Sequence, residues 1–195
     1  MPFQSGAVCR PKDGQVVCGD TYLIHPSDDG KLFVAVIDGL GGGEEAARAA
    51  ELAKGVYVEH PSAPLQELIR RSHTATLHTR GAVVALMRLD ERTRHVAYVG
   101  VGNIGTYVYT HQPIKPISKN GILGYRLPQL LELSYSYDVG DVFVMFSDGV
   151  TSQFSQDARL DSRQPPQALA EHILATYGKS IDDATVVVIK TTPQP

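Results

Sequence analysis

An α+β fold, with antiparallel sheets covered by helices, is predicted by three features of the sequence. These are many short β-type runs, helical periodicity confined to three places, and hairpin chemistry between neighbouring runs. Runs rich in Val, Ile, Tyr and Phe fall near residues 15–25, 31–38, 81–90, 94–102, 104–110, 130–136, 141–147 and 184–191. The regular alternation of strand and helix that builds a parallel doubly wound sheet is missing.

Taken in order, the first two runs are joined by HPSDDGK at 25–31, whose Pro, Asp and Gly favour a tight turn between antiparallel neighbours. A helix is predicted over 43–58, where Ala46, Ala49, Ala50, Ala53 and Val56 recur at helical spacing. A second helix, over 64–78, is opened by Pro64, and a third, over 166–177, is opened by Pro166 and closed by Gly178. DERTR makes a short connection between the third and fourth runs, and residues 112–129 read as an ordered surface loop holding prolines and glycines.

At 195 residues and 43% hydrophobic, the chain is long enough for one sizeable core and is read as a single domain over 1–195. Its net charge is −3, and Arg70 and Arg71 form its only basic stretch, so neither nucleic acid nor an anionic membrane is an expected partner. No apolar run approaches bilayer length, and MPFQSGAVCR lacks the apolar centre of a signal peptide; a cytoplasmic, monomeric protein is expected. Cys9 and Cys18 then read as reduced thiols, and Arg10 as a surface residue. The seven histidines show no HxxxH or HxH pairing, so zinc has no support.

Chemistry is signalled by four acids at strand edges: Asp20 in VVCGDTYLI, Asp38 in LFVAVIDGLGGG, Asp148 in DVFVMFSDGV and Asp182 in IDDATVVVI. A carboxylate at the end of a buried strand is unfavourable unless it is hydrogen-bonded or bound to a cation. Each segment alone is more often a turn than a site. Asp20 carries the weakest signal, and Asp183 reads as a turn residue. Four such places ask for a shared explanation, and a binuclear metal centre supplies one. The glycine run 41–43 lacks both GxGxxG and GK[ST], so nucleotide binding is weakly supported.

In this order the motifs GD at 19–20, DGLGGG at 38–43, RGAVVAL at 80–86, VGN at 101–103, SDG at 147–149 and DDAT at 182–185 resemble the PPM (protein phosphatase 2C) family of metal-dependent serine/threonine phosphatases. The similarity is greatest to the short bacterial branch of SpoIIE-type and stressosome phosphatases. It implies a four-layer α/β/β/α sandwich and two Mn²⁺ or Mg²⁺ ions. Asp38 would bridge both ions, Gly39 would lend its carbonyl, Asp20 would serve one ion, and Asp148 with Asp182 the other. Asp38 and Asp148 would be the catalytic acids, holding a metal-activated water with no side-chain nucleophile. Oxygen-only ligands suit these hard cations. The implied substrates are phosphorylated STAS-domain proteins of a stressosome.

Two departures stand out against the family pattern. Leu40 replaces a histidine that helps the leaving group, a contribution of roughly 10²–10⁴-fold. Asn103 replaces an aspartate associated with a third metal, so two ions are expected. No counterpart of the family's phosphate-anchoring arginine is recognisable. The alternatives are a catalytically weak phosphoprotein-binding relative and a two-metal nuclease or nucleotide hydrolase.

Overall fold

The computed structural model describes residues 3–193. Among these residues nine strands form two antiparallel sheets. One has the order β1 (Phe3–Arg10), β9 (Ala184–Thr191), β8 (Val142–Phe146), β6 (Gly105–Tyr109). The other has the order β2 (Asp20–Pro26), β3 (Lys31–Gly39), β4 (Ala82–Asp90), β5 (His95–Val101), β7 (Glu132–Ser136). Helices α1 (Gly43–Glu59) and α2 (Leu65–Ala75) lie between β3 and β4 in the chain, and α3 (Pro166–Tyr177) precedes β9.

Continuous apolar strands arise here because the central strands are covered on both faces. In β3, Leu32, Val34 and Val36 enter the core between the sheets, while Phe33, Ala35 and Ile37 face α1 and α2. In β9, Val187 and Ile189 point into the same inter-sheet core, while Val186 and Val188 pack with Leu169, Ala170 and Ile173 of α3. The layers are therefore helix, sheet, sheet, helix. The small residues Ala46, Ala49, Ala50 and Ala53 bring α1 close to its sheet, and the Tyr57 hydroxyl donates to Ser72 Oγ at 2.9 Å, joining α1 to α2.

Several expectations need correction. The first run begins pairing only at Asp20, since 15–19 forms the approach to β2. Strand β1 had no clear sequence signal: it is an edge strand with only Gly6 fully buried, so neither alternation nor a continuous apolar run marks it. It pairs along its whole length with β9, from Phe3 opposite Thr191 to Arg10 opposite Ala184. Arg10 is half-buried rather than a surface residue, and donates to the Lys179 carbonyl at 2.7 Å. Helix α2 ends at Ala75, and a short 3-10 turn, Ser152–Gln156, was not anticipated.

Candidate metal centre

All four acids come from the same end of the two sheets. Asp20 opens β2 directly opposite Asp38, which closes β3. In the other sheet Asp148 follows β8 and Asp182 precedes β9, beside the paired ends Phe146 and Val186. Directly opposed residues of an antiparallel pair share one face, so the Asp20 and Asp38 carboxylates are neighbours. Asp38, Asp148 and Asp182 line one cavity of about 720 Å³, together with Leu40, Gly41, Asn103, Asn120, Ile122, Tyr125 and Arg126. Asp20 lies beneath it, only 5% exposed.

The electrostatics of this end are those of a crowded anion cluster. Burial, and then the charges of Asp20, Asp148 and Asp182, push the Asp38 carboxyl up to about 9. Burial pushes Asp20 up to about 6, opposed by the hydrogen bond from Ser147. Asp20 Oδ2 accepts that bond from Ser147 Oγ at 2.6 Å, and Ser147 Oγ in turn accepts from the Thr185 amide at 2.9 Å. Among the described residues, Asp20 Oδ1 is buried with no hydrogen-bond partner. An orphaned carboxylate oxygen facing other carboxylates lacks a donor or a cation. The available donors are oxygens, which fits a hard divalent ion. Among the described residues no three acidic, histidine or cysteine side chains are drawn tightly enough to hold a single ion, so the acids surround a shared space rather than clasp a point.

Neighbouring residues divide into those that face the cavity and those that brace it. Of the adjacent pair Asp182 and Asp183, only Asp182 lines the cavity. Asp183 is buried and accepts the Lys12 and Gly19 amides, both at 2.9 Å, fastening the segment that leads into β2. Asn103 Nδ2 donates to Asp148 Oδ2 at 2.8 Å, so the residue standing in for an acid orients one instead. Gly39 ends β3 beside Asp38. Its missing side chain is required by α1, because a Cβ there would collide with the Ala46 carbonyl. Leu40 is half-buried, packs against the inter-sheet core and forms cavity wall. The thiols of Cys9 and Cys18 are free and lie 3.0 Å apart, with Cys9 directed at the Asp20 carbonyl. Ser147 and Arg126 carry no signal of their own in the sequence, and Asp183, expected as a turn residue, is instead a buried acceptor for two amides. Ser147 sits inside the SDG motif, whose sequence signal is carried by the adjacent Asp148.

Two helix-backed antiparallel sheets, with an acidic cavity at their common end, give the chain the architecture of solved PP2C-type domains. The chain belongs to the SpoIIE family (stage II sporulation protein E), which matches residues 28–192. Among curated proteins, the phosphoserine phosphatase RsbX of Bacillus subtilis (strain 168) is 26% identical over 141 residues, 71% of this chain and 70% of RsbX. A structure from work on the bacterial stressosome as a modular system controlling secondary messenger signalling is 34% identical, covers 97% of this chain and 100% of its own, and superposes with a TM-score of 0.88. RsbX in complex with magnesium has the same fold, with a TM-score of 0.86 at 23% identity over 97% of this chain and 96% of that one. No helix among the described residues is long and apolar enough to cross a membrane.

Proposed function

We propose that this chain is a divalent-metal-dependent phosphatase acting on phosphoserine or phosphothreonine in proteins. The observation that carries the reading is the meeting of Asp38, Asp148 and Asp182, from three strand ends in two sheets, around one cavity with Asp20 and its unpartnered oxygen beneath. Asp20, Asp38, the Gly39 carbonyl, Asp148 and Asp182 would hold two Mn²⁺ or Mg²⁺ ions. When bound, the ions supply the Lewis acidity that makes solvent a nucleophile and neutralises phosphoryl charge. The chain's own part is positional. Ser147 and the β2–β3 pairing fix Asp20 against Asp38, and Asn103 turns Asp148 toward the cavity. Leu40 and Ile122 give the cavity an apolar wall, which strengthens charge interactions within it.

Phosphorylated STAS-domain proteins of a stressosome are the proposed substrates. This is supported by the family, by the activity named for RsbX and by the stressosome setting of the 34% identical structure. The test is hydrolysis of p-nitrophenyl phosphate and of a phosphorylated STAS protein with Mn²⁺, with Mg²⁺ and with chelator. Turnover is expected with metal only, and Asp38→Asn is expected to abolish it while the circular dichroism spectrum is kept. Near-normal turnover by that variant, or equal rates in chelator, would refute the reading.

A further inference from the structure

The segment 119–126, which lines the cavity together with the acids, is held in place by the rest of the fold. The Lys119 amide donates to the Gly100 carbonyl at 3.0 Å and the Gly102 amide donates to the Lys119 carbonyl at 2.9 Å, tying the segment to the end of β5. Leu123 is fully buried beneath α1 and α2 and exchanges both backbone bonds with Ala82, at 3.2 and 2.8 Å. The Gly124 amide donates to His73 Nδ1 of α2 at 3.0 Å. From this base rises a small turn closed by reciprocal bonds between Ile122 and Arg126, both 2.9 Å, with Tyr125 at its tip 82% exposed. Gly81 makes the approach possible: its φ is +86°, and a Cβ there would lie 2.6 Å from both the Ile122 side chain and the Leu123 carbonyl.

Arg126 is the only basic side chain lining the cavity, and among the described residues its guanidinium has no ion-pair or hydrogen-bond partner. On the reading above, four carboxylates at −4 and two divalent ions at +4 leave a formally neutral floor. A phosphomonoester dianion then gains little long-range attraction unless a fixed cation stands at the mouth. A guanidinium is suited to that place, because its planar fork pairs with two phosphoryl oxygens at once.

We propose that Arg126, presented by the anchored 122–126 turn, is the substrate-binding cation that grips the phosphoryl group of the incoming phosphoresidue. The inference rests on the phosphatase reading but is separable from it. Charge-assisted bonds of this kind are worth about 1.5–3 kcal/mol, about 10–100-fold in affinity. Arg126→Ala should therefore raise KM for p-nitrophenyl phosphate and for a phosphoserine peptide about 10–100-fold with Mn²⁺ present. Arg126→Lys should recover part of the loss, keeping the charge without the fork. Arg92→Ala, on the β4–β5 turn at the opposite end of the sheet, serves as a control with the same change of charge and should match the wild type.

Calorimetric binding of inorganic phosphate to the Mn²⁺-loaded protein gives a readout independent of turnover. Its Kd should rise by a similar factor in Arg126→Ala, while Mn²⁺ uptake stays unchanged. A KM and a phosphate Kd within twofold of the wild type would overturn the proposal. If the wild type hydrolyses no phosphomonoester, the phosphatase reading falls, and the phosphate titration still decides the role of Arg126.

Discussion

At the scale of single residues, Ser147 does the most with the least sequence signal. Its hydroxyl is fully buried, donates to Asp20 and accepts from the Thr185 amide, so one oxygen links the mouth of one sheet to the other. Ser147→Ala would remove the hydroxyl that donates to Asp20 Oδ2 and strand the Thr185 amide. A buried group left unpaired costs about 1–3 kcal/mol, so urea denaturation of the variant should show a loss of that size. An unchanged midpoint would mean that other partners replace the hydroxyl. Such a role is hard to read from a string of letters. SDG announces an acid at the end of a strand, but which atom meets which across two sheets depends on tertiary pairing. The adjacent Asp182 and Asp183 teach the same lesson. Their order in the chain does not say which faces the cavity and which fastens the approach to β2, and the division appears only once the Lys12 and Gly19 amides arrive from elsewhere.

At the scale of elements, two-sided burial made the strands legible. A run such as LFVAVI is continuous because successive side chains alternate between two cores, and that signal survives without coordinates. The α3 prediction over 166–177 coincides with the helix, since Pro166 and Gly178 mark its ends. Strand β1 escaped because an edge strand needs few buried side chains, and its pairing with β9 is decided at the far end of the chain, Phe3 meeting Thr191 and Arg10 meeting Ala184. The 112–129 segment was legible as ordered loop but not as cavity wall, a role set by the long-range bonds of Leu123 to β4. Gly81→Ala should disturb that docking through both the left-handed backbone and the steric conflict with Ile122. A loss of more than about 1 kcal/mol in chemical denaturation is expected, with faster hydrogen exchange at the Leu123 amide. Wild-type exchange at Leu123 would contradict it.

For the whole molecule, the acidic end should make stability depend on pH and on bound cations. The Asp38 and Asp20 carboxyls stand at about 9 and about 6 in the fold, against an ordinary value of 3.8. A carboxyl raised in this way holds its proton more tightly folded than unfolded. Its contribution is complete below 3.8 and is lost as pH climbs through 6 for Asp20 and 9 for Asp38. The melting temperature of chelator-treated protein should therefore fall between pH 5 and pH 9, and Asp38→Asn should fall less. Saturating Mn²⁺ should restore the loss, because a ligand that binds only the folded form stabilises it. A wild-type curve no steeper than that of the variant would show that Asp38 does not carry the effect.

The pairing of Phe3 with Thr191 has a consequence for how this domain can be wired to others. Both described ends of the chain emerge side by side at the rim opposite the acids, seven strand residues away, or roughly 23 Å. A domain joined at either end would therefore hang from the back of the sandwich and leave the acidic mouth unobstructed.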